Sequence, residues 1–405
     1  MSDPSSIYSK LSKAVQGHAA ALRSISRLQP IGGLGDKIFP ATYSGGVYAT
    51  EKRRQVANDP ASPLLNCVLI DSVQSQANRA EEALLEAIRR GNIEIPLIEV
   101  DFSKANEQFL VDVPNLTSLD VPHRLADAIL RDSETAEGIE FSKSDYAKKW
   151  AKANLWNATA VYELCPTALV FGMWGSPEKP GGLGAKFERA FVSEIAGIGV
   201  AEAEPEKRVG FRIDPLNASS HVLLTKTEAG FVIAGEKGKN SVKPSEMNHG
   251  NVPHESKNSG IRVLYAEQNT VVSLGALRKL KFPINGINTA AVDDAGRTVL
   301  AALAVCAAVL ASERGTSLRS RCQLVPEAPR QWELIAEPGQ VPEQVSIDGE
   351  AAIALLKEAI AAAEALGLTW MKKPLKLKPT KRLVELVQKS QQRQATKGEL
   401  EELLP

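Results

Sequence analysis

Two glycine-rich segments with the pattern G-G-L-G-x-K carry the clearest chemistry in this sequence. They occupy residues 32–37 and 181–186. Glycine lets the backbone approach a bulky ligand, successive main-chain N–H groups can surround an anion, and the final lysine adds a positive charge. Each segment can therefore hold a phosphate group. The alternative is a pair of tight turns that bind nothing.

The two glycine segments differ from the known nucleotide-hydrolysing loop. That loop needs Ser or Thr directly after the lysine to hold Mg²⁺, whereas Ile38 and Phe187 stand at these positions. The dinucleotide pattern G-x-G-x-x-G is not met either. Asp36, inside the first segment, is a carboxylate that could act in catalysis. No G-x-S-x-G motif, paired acids or His beside a nucleophile accompanies it.

Polar side chains gather around the first glycine segment along the chain. The nearest are Gln29, Lys37, Lys52, Arg53 and Arg54. A second polar run, residues 71–79, opens a predicted helix with amides, a hydroxyl and an arginine. The N–H groups at a helix N-terminus attract phosphate, and amide side chains can contact a ribose 2′-OH without selecting a base. The alternative for this run is ordinary helix capping in a solvated first turn.

The charge balance limits the class of partner. The chain has 405 residues, with 48 Lys and Arg against 48 Asp and Glu, so its formal net charge is zero. This excludes a generic polycation but allows a basic groove on an otherwise neutral protein. Aromatic residues make up 5%, too few for a surface of base-stacking rings.

Cysteine, histidine and apolar patterns indicate the compartment and the absence of a cofactor. The four cysteines have no C-x-x-C spacing and lie in apolar stretches, so we expect buried, reduced thiols. The five histidines lack metal-ligand spacing. The first 13 residues contain no hydrophobic signal, and the longest unbroken apolar run, 299–311, is shorter than the roughly 20 residues of a membrane span. We expect a cytoplasmic protein without metal, cofactor or membrane contact.

Strands and helices must position these groups. Continuous apolar runs, caps and helical periodicity predict a strand over 64–70, a helix over 71–90, a strand over 93–102, a strand over 166–171 and a helix over 185–195. Further along we expect a hairpin over 222–234, strands over 261–264, 270–274 and 319–325, a buried alanine-rich helix from Asp293 or Asp294 to about 312, a helix from Asp348 to 366, and a helix over 383–404.

Several long segments resemble one known family. Residues 28–43, 68–79, 164–172 together with 181–186, and 273–282 are similar, in the same order, to the CRISPR-associated RAMP protein of type I-U systems, also called I-G. That protein is the backbone subunit of a Cascade-like surveillance complex. The resemblance covers residues 25–325 and leaves the part after about 370 unassigned.

The resemblance implies an α+β fold with a modified RRM or ferredoxin-like (RAMP) palm and inserted finger-like and thumb-like subdomains. We expect the N-terminal part of the palm over 1–102, a finger-like insertion over 103–160, and the remainder of the palm over 161–340. That remainder includes a thumb-like region over 221–260. Residues 341–405 form a helical extension with a basic tail at 372–382.

The resemblance also implies CRISPR RNA binding in antiviral defence, as a ribonucleoprotein. Several copies would stack along the guide and present it for pairing with target DNA, beside a large subunit and a guide-processing subunit. We predict RNA binding by Gln29, Gly32, Gly33, Gly35, Lys37, Arg53, Arg54, Ser72, Gln74, Gln76, Asn78, Arg79, Gly181, Gly182, Gly184, Lys186 and Arg189.

Two enzymatic alternatives stay open. The first is a metal-dependent ribonuclease of the RAMP superfamily that cuts target RNA at Asp36, because related type III subunits use an aspartate in the corresponding region. The second is a phosphate-metabolising enzyme that uses G-G-L-G-x-K as a substrate cradle. We expect neither, since a lone Asp without a metal cluster makes a weak catalytic site.

Overall fold

A large antiparallel sheet organises the protein. The computed structural model describes residues 4–44, 46–175, 185–201, 215–216, 221–227, 230–234, 241–247, 249 and 260–401. Over these residues the strands are β1 (Ala21–Pro30), β2 (Thr42–Tyr43), β3 (Val47–Tyr48), β4 (Thr50–Arg54), β5 (Leu64–Asp71), β6 (Ile98–Val100), β7 (Leu116–Thr117), β8 (Ser133–Glu134), β9 (Met173–Trp174), β10 (Lys186–Phe187), β11 (Phe191–Ile198), β12 (Leu224–Thr227), β13 (Gly230–Ile233), β14 (Ser241–Val242), β15 (Tyr265–Ser273), β16 (Thr316–Arg319), β17 (Cys322–Pro326), β18 (Trp332–Ile335), β19 (Glu343–Val345) and β20 (Leu375–Pro379).

Helices cover one face of this sheet and extend beyond it. They are α1 (Pro4–Gln16), α2 (Val73–Arg89), α3 (Ala128–Arg131), α4 (Asp145–Trp150), α5 (Thr159–Leu164), α6 (Thr167–Phe171), α7 (Leu274–Leu277), α8 (Ala290–Glu313), α9 (Gly349–Ala365) and α10 (Lys381–Glu401). Helices α2, α8 and α9 pack side by side, and α1 packs on α8 and α9.

The order of strands in the sheet identifies the fold. Its main path is β16-β17-β1-β15-β11-β5-β4, with β18 and β19 attached beside β1. Along the chain, β1, α2, β11, β15, α8 and β17 follow one another as βαββαβ, and the four strands lie in the sheet as fourth, first, third, second. This is the ferredoxin-like arrangement. Strands β4 and β5 lie between β1 and α2 along the chain and extend the sheet at its β11 side. The predicted α+β, RRM-like palm is confirmed.

A polar band divides one face of the sheet into two apolar cores. The band consists of Gln76, Ser193, Gln268, Thr270 and Arg330, which hydrogen bond to one another. On one side lies the helix core, in which Leu22, Phe191 and Val272 of the sheet pack against helices including α2 and α8. On the other side lies the glycine-loop core.

None of the helices in the described part of the chain contributes to the glycine-loop core. Leu28, Val68 and Ala266 of the sheet are covered there by Ile38, Ile261, Val263 and Leu318, which come from connecting segments and from β16. Gly197 in β11 allows this close cover, because a Cβ there would lie 2.7 Å from a methyl carbon of Val263. The segment around Ile38 directly follows the first glycine segment along the chain. This core therefore anchors one end of the glycine segment.

Helix α8 is the apolar centre of the helix core. By length and composition it could cross a membrane, yet most of it is buried inside the protein, as in the core helix of a folded domain. Its apolar character was predicted, but Thr289 caps it, four residues before Asp293. Asp293 instead accepts a hydrogen bond from the backbone N–H of Phe282 at 2.7 Å.

Three other local predictions are wrong. Residues 166–171 form helix α6, not a strand, and residues 185–195 form strands β10 and β11, not a helix. The predicted single strand over 319–325 is the hairpin β16–β17, whose turn includes Arg321 at φ +54°. The strand predicted over 93–102 is reduced to β6. The predicted strand 64–70, the hairpin 222–234 and the helices at 71–90, 348–366 and 383–404 are confirmed within one to three residues at their ends.

A second, smaller sheet joins distant parts of the chain in the order β7-β6-β20-β8. Strand β20, from the basic tail, pairs in parallel with β6 and antiparallel with β8. Leu130 and Phe141, from the region predicted to be finger-like, are buried in the same cluster as the helix core. The tail thus starts as an integral strand of the fold.

Candidate nucleic-acid interface

The first glycine segment leaves the sheet at the end of β1 as two successive turns. The N–H of Gly33 donates to the carbonyl of Pro30 at 2.9 Å, and the N–H of Asp36 donates to that of Gly33 at 3.1 Å. Gly33 has φ +101° and Gly35 has φ +80°, in the region that side chains disfavour. This backbone path therefore requires glycine at both positions.

Gly32 is constrained by the side chain of Asp36, which occupies the space that a side chain at position 32 would need, and not by its own backbone angles. A Cβ on Gly32 would lie 2.1 Å from Oδ2 of Asp36, and Oδ1 of Asp36 accepts the N–H of Lys37 at 2.8 Å. The carboxylate therefore folds back over the loop and holds its shape. Across the residues that the structure describes, no group of three or more His, Cys, Asp or Glu side chains is placed to bind a metal. The ribonuclease alternative stays a prediction without a supporting observation.

Arginines from distant parts of the chain surround this loop. Nε of Arg262 donates to the carbonyl of Gly35 at 3.2 Å. The guanidinium of Arg321 lies 5.0 Å from the centre of the Phe39 ring, and Arg319 donates to the Phe39 carbonyl at 3.5 Å. With Lys37, these side chains place four basic groups around the first glycine segment.

Sequence reasoning did not assign Arg262, Arg319 and Arg321 to this site. For the last two, the sequence predicted only a strand over 319–325, which gave no indication that this segment adjoins residues 31–39. Arg262 had no signal, because it reaches the loop through the bridge between Ile38 and Ile261, a contact between residues more than 200 positions apart.

Asp71 connects the polar run of helix α2 to the same region. Its carboxylate is almost fully buried and accepts hydrogen bonds from Gln76 at 2.6 Å and from Nε of Arg79 at 3.0 Å, and it pairs with Arg319 at 3.5 Å. Arg79 also donates to the carbonyl of Leu318 at 3.0 Å. The structure therefore brings residues 71–79 next to the glycine loop, with Arg319 as the link.

The predicted residues of α2 face two different ways. Gln76 is buried in the polar band and Arg79 is engaged with Asp71, so both serve the interior of the protein. Ser72 is the N-cap of α2 and accepts the N–H of Ser75. Gln74 and Asn78 are exposed one turn apart. They are therefore the two side chains of this run that can reach a ligand.

Arg53 and Arg54 lie apart from the glycine loop within the sheet. Strand β4 is an outer strand of the sheet, and three strands separate it from β1. Arg53 pairs with Glu51 and Glu194, and Arg54 donates to the carbonyls of Pro60 and Ser62. Gln29, by contrast, is half-buried in β1 opposite Val325, directly before the loop.

The second glycine segment is described only at its end. Gly181, Gly182 and Gly184 lie outside the described residues. Lys186 is exposed in β10, and its Nζ lies 4.7 Å from the centre of the exposed Trp174 ring. A cation beside an open aromatic face suits a nucleotide, which offers both a phosphate and a base. Trp174 was not among the predicted residues.

Arg189 stands close to this pair along the chain and is exposed. It packs against Gly172, where a Cβ would lie 2.8 Å from its Cγ. Gly172 also has φ +86°, so both its backbone conformation and its contact with Arg189 exclude a side chain at this position. The turn at Gly172 thus places Arg189 near the strand pair β9–β10 that carries Trp174 and Lys186.

Comparison with known proteins finds a similarity over part of the chain. No curated protein matches the chain. Residues 22–202 match the family model described as CRISPR-associated protein GSU0053, a range that includes β1, the first glycine segment, helix α2 and the second glycine segment. Over this range, which is less than half of the chain, the sequence is similar to that CRISPR-associated family.

Proposed function

We propose that this protein binds CRISPR RNA as the repeated backbone subunit of a type I-U (I-G) Cascade-like complex in the cytoplasm. The observation that carries the proposal is the first glycine segment. Its backbone turns are fixed by Gly33 and Gly35 and are surrounded by Lys37, Arg262, Arg319 and Arg321. The loop lies within the range that matches the CRISPR-associated family.

The arrangement favours contact with the RNA backbone. Lysine and arginine bind phosphate, and exposed amides such as Gln74 and Asn78 can bind a ribose hydroxyl; neither contact selects a base. A guide-holding subunit must accept any spacer and leave the bases open for pairing with target DNA. In this proposal the subunit holds the guide and cuts nothing. Its partners are other copies, the large subunit and the guide-processing subunit.

Co-purification tests the proposal directly. The chain, expressed with its operon partners, should carry RNA of defined length, measured on a denaturing gel after removal of protein. An intact complex that contains no RNA would overturn the proposal.

A pair of matched variants tests the site. Lys37→Gln with Arg262→Gln should weaken binding of single-stranded RNA to a similar degree for different spacer sequences. The slope of log affinity against log salt should fall by about 0.7 for each phosphate group that the variant no longer binds. Arg90→Gln with Lys148→Gln removes the same charge at exposed positions elsewhere and should leave the slope unchanged. Loss of affinity for only some sequences would contradict backbone binding.

A further inference from the structure

A basic groove of about 570 Å³ lies where the C-terminal helix meets the second sheet. Four lysines line it, all exposed: Lys104, Lys376, Lys378 and Lys381. Its apolar lining includes Leu377, which is buried in β20, and Val384 on the first turn of α10. The groove is distinct from the glycine-loop site and contains part of the basic tail.

The lysines of the groove outnumber its acidic side chains by four to two. Its two acidic side chains are Asp101 and Glu385, and Glu385 is already paired with Lys389 on the next turn of α10. One of the lysines, Lys378, pairs with Glu134 at 3.2 Å. An anionic ligand would therefore be attracted to the rim.

The apolar lining favours a peptide over a nucleic acid. A phosphate backbone gains nothing from contact with Leu377 and Val384, whereas an apolar side chain does. A short segment with alternating acidic and apolar side chains matches both the rim and the lining. Grooves that recognise peptides commonly combine apolar anchors with charge complementarity in this way.

Helix α10 leaves the body of the protein after its first three turns. Leu383 is buried, and the side chain of Gln391 accepts the N–H groups of Leu110 and Val111. From 392 to 395 every side chain is exposed, and the helix continues to Glu401. At 1.5 Å per residue, Glu401 lies about 26 Å along the helix from Val384. The far end of α10 therefore cannot reach the groove at its own base.

The sequence at that far end is complementary to the groove. Residues 399–405 read E-L-E-E-L-L-P, with three glutamates and three leucines. We propose that residues 399–405 of one copy bind in the basic groove of a second copy. Each copy carries one groove and one such segment, so the contact is head-to-tail and can repeat along an open row of subunits. It deepens the assembly part of the proposed function but needs no RNA.

Charge reversal on each side of the contact tests this proposal with the full chain, free of RNA. One variant carries Lys376→Glu and Lys381→Glu, and the other carries Glu399→Lys and Glu402→Lys. Sedimentation velocity over a concentration series should show self-association of the wild type and at least a tenfold weaker association of each variant alone. An equimolar mixture of the two variants should associate again, because each groove then meets a segment of opposite charge.

The control and the contrary outcomes are equally direct. Lys143→Glu with Lys148→Glu changes the charge by the same amount at exposed positions and should associate like the wild type. A wild type that stays monomeric, or variants that associate normally, would overturn the proposal, as would a mixture that fails to associate while both variants keep the thermal midpoint of the wild type. Loss of RNA affinity in the groove variant with unchanged self-association would assign the groove to nucleic acid instead. Failure of the RNA tests above would leave this result untouched.

Discussion

Gln76 was predicted to contact RNA, whereas in the structure it is a hub that connects buried polar side chains. Its amide nitrogen donates to Asp71 at 2.6 Å, while its oxygen accepts from Gln268 at 2.7 Å and from Ser193 at 3.2 Å. The sequence correctly predicts the helix on which it lies. It does not indicate that a polar band crosses the underlying sheet, because Ser193 and Gln268 are more than 100 positions away.

Replacement of Gln76 by leucine should reduce stability and leave RNA binding unchanged. The change removes the hydrogen bonds that Gln76 makes with Asp71, Ser193 and Gln268, and the loss of a buried hydrogen-bond partner costs about 1–3 kcal/mol. Urea unfolding measures the loss. Gln74→Leu, at an exposed position of the same helix, should change stability by less than about 0.5 kcal/mol. A Gln76→Leu protein with normal stability and weaker RNA binding would show that the hub assignment is wrong.

Arg124 holds a second buried contact. Its guanidinium donates to both carboxylate oxygens of Glu81, at 2.6 and 2.7 Å, and to the carbonyl of Gly172 at 3.1 Å. Burial raises the pKa of Glu81, and the guanidinium opposes that rise. The pair links helix α2 to the segment that carries Trp174.

Arg124→Ala should destabilise the protein by about 3–5 kcal/mol, because it leaves a buried carboxylate unpaired. Glu81→Gln combined with Arg124→Met should be less destabilising than Arg124→Ala, since no buried charge remains. Chemical denaturation of both proteins provides the comparison. Equal losses would contradict the assignment of the effect to an unpaired buried charge.

At the scale of elements, periodicity and caps predicted the long helices well and the short apolar runs poorly. Helix α9 begins after Asp348, whose carboxylate accepts the N–H of Ala351 at 2.8 Å, as predicted. Residues 166–171 are apolar on all sides, and a run of that length does not distinguish a buried strand from a buried helix. In this protein the run is the helix α6, which ends where Gly172 turns at φ +86°.

The packing of helix α8 depends on one glycine. A Cβ on Gly296 would lie 2.7 Å from Cδ2 of Phe282 and 3.0 Å from Leu368. Gly296→Ala should therefore cost about 1–3 kcal/mol through overpacking, although alanine favours helix by about 1 kcal/mol. Gly275→Ala in α7 meets nothing closer than 3.9 Å and serves as the control. Thermal unfolding of the two variants provides the measurement, and an equal midpoint for both would contradict the close packing.

At the scale of the whole molecule, ion pairs between elements make stability depend on pH. A hydrogen bond from Arg23 lowers the pKa of Glu333 below 4.5 and joins β1 to β18. This contribution is present above pH 4.5 and is lost as the pH falls through the lowered pKa of the folded protein.

Glu333→Gln should therefore reduce the acid sensitivity of the fold. Between about pH 6 and pH 3 its unfolding free energy should fall less than that of the wild type, by under about 1 kcal/mol, since the pair is partly exposed. Urea unfolding across this range gives the comparison, with Asp145→Asn, an exposed carboxylate, as the reference. Identical pH profiles for the wild type and Glu333→Gln would remove this pair as a source of acid lability.

The ferredoxin-like palm was predictable from the sequence by resemblance, whereas the contacts between its parts were not. Nothing in residues 372–382 indicates that β20 completes a sheet with β6 and β8, since such pairings join positions that are more than 200 residues apart. The same holds for Arg262 at the glycine loop. Local pattern predicts elements, and the long-range partners that complete a site become visible only in the fold.

The two cores on either side of the polar band should also differ in how readily they open by local unfolding. The glycine-loop core is covered by Ile38 and Ile261, whose backbones hydrogen bond to each other in both directions at 2.9 Å, and no helix among the described residues belongs to this core. Amide hydrogen exchange at these two residues should be faster than at Leu22 and Val272 beneath the helices. Faster exchange there would identify the segment around Ile38 and Ile261 as a separate cooperative unit that opens while the helix core stays closed.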